Sequence, residues 1–289
     1  MHAFVVDLVS TLSTAGYLFM VSAGLTLVFG AMRVINLAHG SFYMYGAFLV
    51  STIIGASSGA LFWLAVPAAA VAVGALGALV EVTVMRRLYR SEHLTQLLAT
   101  FALLLIFADV GLRLWGTNSR TVANPAPFHG RITVAGATFP SYDVAIIAVA
   151  VVVGLGLWAM LARTVFGWKV RAVVSDPEAL ATTGTNTGLL LTSVFVLGAA
   201  LAAVAGAVVA PQTSVAPGID QAIIVTAFIV AVIGGLGSIA GAAIGALLIA
   251  AAETLGTRYA PNWASTLIYG VLIVVLAARP WGLLGAAER

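Results

Sequence analysis

The chain alternates between long apolar runs and short polar, glycine- or proline-containing stretches. The runs cover Leu12 to Gly30, Ala38 to Ala56, Leu61 to Val84, Leu94 to Trp115, Val144 to Leu161 and Leu189 to Ala210. Three more follow: Ala222 to Ile233, Ile239 to Leu255 and Ala264 to Ala278. A helix rises 1.5 Å per residue, so about 20 apolar residues cross the hydrocarbon of a bilayer. The pattern predicts an all-α polytopic membrane protein with eight or nine transmembrane helices, the shorter segments being also compatible with re-entrant structure. A polar hinge, Arg33-Val34-Ile35-Asn36, separates the first two runs. The longest loop, residues 116–142, carries Pro125, Pro127 and Pro140, and a polar segment occupies residues 163–187.

Composition sharpens this picture. Hydrophobic residues make up 62% and charged residues 8% of the 289, against about 25% charged in soluble domains. No water-soluble fold hides that much apolar surface. Cysteine is absent, which excludes disulfides and thiolate metal sites. The net charge of +3 comes mostly from arginines at run ends, a topology signal and a poor argument for nucleic-acid binding. The opening stretch, Met1 to Ser10, lacks a basic n-region and contains Asp7. It reads as the lead-in to a retained first span.

Arginine and lysine assign the sides. One set of run ends carries Arg33, Arg86, Arg87, Arg90, Arg163, Lys169, Arg171, Arg279 and Arg289. The other carries Arg113, Arg120, Arg131 and Arg258. The first set is expected to be cytoplasmic. This alternates correctly for nine crossings with the N-terminus outside and the C-terminus inside. The order divides as four crossings, one crossing and four crossings, so the second four are inverted relative to the first, a common transporter plan. In each half a long apolar helix is followed by a marked segment: Asn36 to Gly46 in the first, Gly234 to Gly241 in the second.

Three stretches carry candidate chemistry. Asn36, His39 and Ser41 are polar groups beside an apolar run, with Gly40 and Gly46 able to admit a close backbone. They read either as a helix break near a translocation path or as a cap at the membrane surface with Asn36 at N-cap. In the second stretch Gly237, Gly241 and Gly245 recur at helical spacing. That pattern suits close helix packing and is compatible with a broken helix at a gate. It lacks the Lys-Ser/Thr of a phosphate loop. In the third, Ser175 or Asp176 can cap a short helix opened by Pro177, and Gly184 suits its C-terminal turn. This segment reads equally as a docking element or a solvated connector.

The run Val34-Ile35-Asn36-Leu37-Ala38-His39-Gly40, with Phe42-Tyr43-Met44 and Gly46-Ala47, resembles the hallmark of branched-chain amino acid ABC transporter permeases. So do Ala227 through Gly241, the Gly167 to Gly184 segment and the closing Arg279-Pro280-Trp281-Gly282-Leu283-Leu284-Gly285. The similarity is collinear from about Gly24 to Gly285. It departs from the usual pattern at Trp168, Thr183 and Thr185, and Ser41 stands where some relatives have Glu. The resemblance implies one permease domain, residues 1–289, of type II-like importer architecture in the cytoplasmic membrane, with an external loop at 116–142 and a cytoplasmic coupling loop at 163–187. It implies two permease chains, two cytoplasmic ATPases carrying ATP and Mg²⁺, and an external solute-binding protein. This chain would bind no cofactor and catalyse nothing. The coupling residues would be Arg163, Gly167, Lys169, Arg171, Asp176, Glu178, Ala179 and Gly184. The path or helix breaks would involve Asn36, His39, Gly40, Ser41, Tyr43, Gly234, Gly235, Gly237 and Ser238. The implied solutes are branched-chain amino acids, with urea or short amides as the alternative.

The remaining charges fit local roles. Asp109 and Arg113 stand one turn apart and suggest an ion pair. Glu81 lies a turn inside Arg86 and Arg87, and Glu253 is the acidic side chain to examine for a pathway role. His2, His39, His93 and His129 are too scattered to form a metal site. An ion-coupled secondary transporter would need a mid-span relay, and the charges lie near span ends.

Overall fold

The computed structural model describes residues 2–55, 59, 61–89, 91–134 and 136–285. The expected second-span end at Ala56 and the basic residues Arg90 and Arg289 lie outside them.

The chain folds as a helical bundle in the order α1 His2–Met32, α2 His39–Ile54, α3 Leu61–Val80 and, through a π-helical turn Glu81–Met85, α4 Arg86–Leu88. There follow α5 His93–Trp115, the hairpin β1 Arg131–Val134 and β2 Ala137–Pro140, α6 Ser141–Arg163, α7 Val165–Ser175 and α8 Pro177–Thr182. The last set is α9 Thr187–Val209, α10 Ile219–Gly234, α11 Ile239–Tyr259 and α12 Ala264–Ala278, the last preceded by the 3₁₀ turn Pro261–Trp263. Among the described residues, seven helices are long and apolar enough to cross a membrane, and α10 is a shorter apolar helix. With α2 that makes nine, within the eight or nine that the hydropathy pattern predicts.

The boundaries differ in instructive ways. α1 begins at His2 rather than Leu12, because the lead-in continues the helix and Asp7 finds a partner in Arg258 of α11. The third run extends past Val84 to Leu88. The long loop is not unstructured. Its β1–β2 ladder pairs Arg131 with Pro140 and Val134 with Ala137.

Two helices form the centre. α1 and α9 cross where Gly24 and Gly198 meet: a Cβ on Gly24 would lie 2.7 Å from the Gly198 carbonyl oxygen, and one on Gly198 3.0 Å from that of Gly24. Only glycine lets the two backbones come this close. Around this crossing the contacts obey an exchange rule. α1 packs on α11 as α9 packs on α3, and α2 packs on α9 as α10 packs on α1. Swapping α1–α2–α3 with α9–α10–α11 reproduces the arrangement, as inverted repeats require. The end of the α3–α4 span and α11 also each carry Glu and Arg five residues apart, Glu81 with Arg86 and Glu253 with Arg258. α5, α6 and α12 form the outer layer, and α12 has no buried residue.

Glu81 is fully buried at one end of the bundle. Its carboxylate accepts hydrogen bonds from Tyr89 (2.6 Å), Thr192 of α9 (2.6 Å) and Arg86 (3.2 Å). Its pairing is local, as its spacing from Arg86 suggests, and it also ties the π-helical turn to α9. Removing the carboxylate takes the oxygen acceptor from the Tyr89 hydroxyl, while Arg86 keeps Thr192 Oγ1 at 2.7 Å and Thr192 keeps the Gly188 carbonyl at 2.9 Å. Glu81→Ala is expected to lower the stability of the purified protein by about 1–3 kcal/mol, Arg86 being 43% exposed and able to keep its charge in water, read as a fall in its thermal unfolding temperature in detergent. An unchanged temperature would mean that the buried cluster contributes nothing.

Candidate functional site

α2 and α10, each 16 residues long, rise only about 24 Å, less than the roughly 30 Å hydrocarbon core. The α2 start is deep in the bundle. His39 Nε2 bonds the Val21 carbonyl at 3.0 Å, and its ring lies against Gly24. Val21 and Gly24 are two to three turns before the end of α1, so α2 begins about 12–16 Å inside that end. Residues 33–38 re-enter the bundle as a non-helical strap. Thr100 of α5 holds the strap by donating to the Ile35 carbonyl at 3.0 Å.

α10 starts at the same depth. Ser41 donates to Asp220 Oδ2 at 3.3 Å, and a Cβ on Gly40 would lie 2.3 Å from the Asp220 carbonyl oxygen. From this meeting point the two helices run in opposite directions. α2 reaches the end of α5, where Phe48 stacks on Trp115 at 4.9 Å. α10 reaches the end of α1, where Gly237 packs on Gly30. The second run is thus a helix that starts inside the membrane rather than a full crossing, and so is α10.

The meeting point concentrates polar groups. Asn36, His39, Ser41 and Asp220 are each at most 1% exposed. Neither helix start has a side-chain cap, and the N-cap positions are Ala38 and Gly218. The reading of Asn36 as an N-cap at the membrane surface therefore fails: its backbone carbonyl accepts from His39, while both polar atoms of its side chain have no partner. His39 Nδ1 and Asp220 Oδ1 also lack one. Two helix N-termini, each carrying partial positive charge, here flank one carboxylate. Tyr43 is held differently, its carbonyl lying against Gly206 of α9.

The glycine-marked stretch after α10 is a real break. Gly235 and Gly237 have φ of +101° and +90°, and Ser238 caps α11 by accepting from Gly241 N–H at 3.0 Å. Gly241 packs on Gly234, so packing and break coexist. The expected equivalence of the two marked segments is not observed. By the exchange rule, the strap before α2 corresponds to residues 210–218 before α10, whereas Gly234 to Gly241 corresponds to the connection after α2.

At the Arg-rich end, Thr164 caps α7 by accepting from Gly167 N–H, and Asp176 caps α8 by accepting from Glu178 and Ala179 N–H at 3.0 and 2.9 Å. Gly184 takes φ +79° after α8. Gly167 lies against the Leu161 carbonyl, to which Arg171 also donates. Arg163 lies over the Trp158 ring at 5.3 Å. Glu178 is exposed and Lys169 half-exposed. Between α7, the α1 end, the α5 start and the α10–α11 turn lies a cavity of about 1210 Å³.

Asp109 and Arg113 form the expected exposed pair at 2.8 Å. Glu253 sits half-buried on α11 in none of the ion pairs among the described residues. Asp220 was not singled out in the sequence. A lone acid following Pro217-Gly218 and preceding an apolar run was the available signal.

A polytopic bundle with inverted halves and paired helix starts inside the membrane has the architecture of a transport permease. The comparisons name the family. The family model described as branched-chain amino acid transport system / permease component matches residues 8–277, and the chain belongs to it. The high-affinity branched-chain amino acid transport system permease protein BraD of Pseudomonas aeruginosa is 30% identical over 299 residues, covering 99% of this chain and 97% of that protein. Its counterpart LivH of Escherichia coli K12 is 32% identical over 288 residues, covering 93% and 91%. A probable LivH of Methanocaldococcus jannaschii is 28% identical over 285 residues, covering 93% and 88%. No solved structure matches the chain.

Gly40→Val is expected to push α2 off α10, because its Cβ would meet the Asp220 carbonyl. Membrane-inserted protein should then show uptake reduced to background. Normal uptake at normal expression would mean that the contact is dispensable.

Proposed function

We propose that this chain is the membrane-spanning subunit of an ATP-driven importer in the cytoplasmic membrane, that it carries branched-chain amino acids, and that it works by alternating access. The observation that carries this reading is the meeting of α2 and α10 inside the bundle, where helix N-termini and unpartnered polar atoms can receive a zwitterion. The substrate class is supported by the family and by the names of BraD and LivH.

The Arg-rich end is the cytoplasmic face, which puts the N-terminus and the β1–β2 hairpin outside and the C-terminus inside. α7 and α8 are the surface for the ATPase partners, which carry ATP and Mg²⁺. A second permease chain, identical or related, completes the pathway against the outer layer of helices. An external solute-binding protein delivers the solute to the opposite face. ATP-driven closure of the partners pushes on α7 and α8. That motion tilts the α1–α2–α3 group against the α9–α10–α11 group, with the breaks at residues 33–38 and 235–238 as flexible points.

Asp176→Ala removes the cap of α8, worth about 1 kcal/mol of local helix stability. Together with Arg171→Ala it is expected to reduce ATPase co-purification and stimulated hydrolysis severalfold. Retention of both would remove α7 and α8 as the docking surface. Gly235→Leu is expected to abolish uptake, since φ of +101° and the contact with Gly285 exclude a side chain. Uptake by the chain alone in ATP-free liposomes under a proton gradient would instead identify a secondary transporter.

A further inference from the structure

The cavity at the Arg-rich end has a chemistry of its own. Its lining includes the guanidinium-bearing Arg33 and Arg171 and no acidic side chain. Neither arginine takes part in an ion pair among the described residues. Arg171 donates to the Leu161 carbonyl and lies 5.5 Å over the Trp168 ring, which fixes it on α7 with its charge uncompensated. Two unneutralised guanidinium groups in a partly enclosed space favour an anionic group, and a carboxylate suits their fork geometry.

The same lining holds two buried oxygens that nothing in the protein satisfies. Thr26 is fully buried and its Oγ1 has no partner. Gln96 is 5% exposed. Its Nε2 donates to the Leu88 and Ser91 carbonyls at 2.9 and 3.1 Å, which orients the amide and leaves Oε1 without a donor. Both oxygens are closed to water in this structure, so a ligand's N–H groups reach them as the wall opens; a buried acceptor left unpaired costs free energy, and that contact would remove the cost. Leu27, Val170, Leu236 and Ile239 add apolar surface. Cation for carboxylate, acceptors for ammonium and apolar wall for an alkyl chain together describe one kind of solute.

We propose that this cavity is a recognition site for an aliphatic α-amino acid. Arg33 and Arg171 take its carboxylate, and Thr26 and Gln96 take its ammonium. The ligand assignment rests on the transport reading above. At about 1210 Å³ the space is far larger than such a solute, which shares it with water and is held loosely. Arg33 belongs to the strap that leads to α2, and Arg171 to α7. A solute bound from the cytoplasmic side therefore touches both the helix break and the coupling segment, and its accumulation slows further import.

The native chain has no cysteine, which permits a direct test. Val174→Cys places one thiol on the cavity wall. Its alkylation by N-ethylmaleimide is followed in the nucleotide-free reconstituted transporter without the solute-binding protein. Leucine is expected to slow the reaction. 4-Methylpentanoate, which lacks the ammonium, and isoamylamine, which lacks the carboxylate, are expected to protect more weakly. Thr26→Val removes a hydroxyl that bonds nothing in the protein, so folding is preserved. It is expected to weaken protection by leucine by about tenfold and to leave protection by 4-methylpentanoate unchanged. Arg33→Gln is expected to weaken protection by both carboxylates and to spare isoamylamine. Equal protection by all three compounds, protection by inorganic phosphate matching leucine, or indifference to both substitutions would overturn the site. Absent protection in a transporter that still imports leucine overturns the site and leaves the transport reading standing. A transporter that imports no branched-chain amino acid overturns the transport reading and the ligand assigned here with it.

Discussion

Hydrocarbon offers no hydrogen bonds, so a helix that begins inside the membrane must have its exposed backbone end enclosed by protein. That constraint organises this molecule. Two helices, α2 and α10, begin well inside the bundle, and the rest of the architecture encloses them. α1 and α9 are the most buried of the long helices. Their crossing at Gly24 and Gly198 is close because His39 must reach the Val21 carbonyl beside it. α5 supports the strap through Thr100 and the far end of α2 through Trp115. Helices that enclose nothing, such as α12, lie outside and keep apolar surface for lipid or a partner chain.

The enclosure is also connected to the Arg-rich end. α9 starts immediately after the α7–α8 segment, its first turn capped by Asn186. Thr192, one turn further on, bonds Glu81. Glu81 accepts from Tyr89, whose hydroxyl lies 3.6 Å from Met32 Sδ at the end of α1. The next residue is Arg33, where φ of +53° turns the chain into the strap. This is a contiguous set of contacts between the segment proposed to meet the ATPases and the backbone that leads to the buried helix starts. Glu81 sits at a π-helical turn, a distortion that often accompanies function.

Much of this was legible in the sequence. Run lengths pointed to eight or nine helices, and a cap at Ser175 or Asp176 before Pro177 pointed to α8, because both depend on local rules that tertiary structure does not override. The depth of α2 was not legible. Hydropathy reports that residues 38–56 are apolar, but a half-length helix and a tilted crossing look alike to it. Asn36 was therefore open to reading as a surface cap. Asp220 was passed over as a loop boundary, since its importance comes from Ser41, 179 positions away. The pairing of Asp7 with Arg258 was hidden for the same reason. The hairpin at 131–140 escaped notice inside a proline-containing stretch whose strands are four residues each.

The central claim is that the starts of α2 and α10 touch inside the membrane. Its most direct measurement uses Ser41→Cys with Asp220→Cys in the natively cysteine-free chain, oxidised in intact membranes. The account predicts efficient intramolecular disulfide formation, insensitive to membrane-impermeant reductant and reversed by a permeant one. Failure of these two cysteines to join, while Ser41→Cys alone is readily labelled by a membrane-impermeant reagent, would place the start of α2 at the membrane surface and contradict the account.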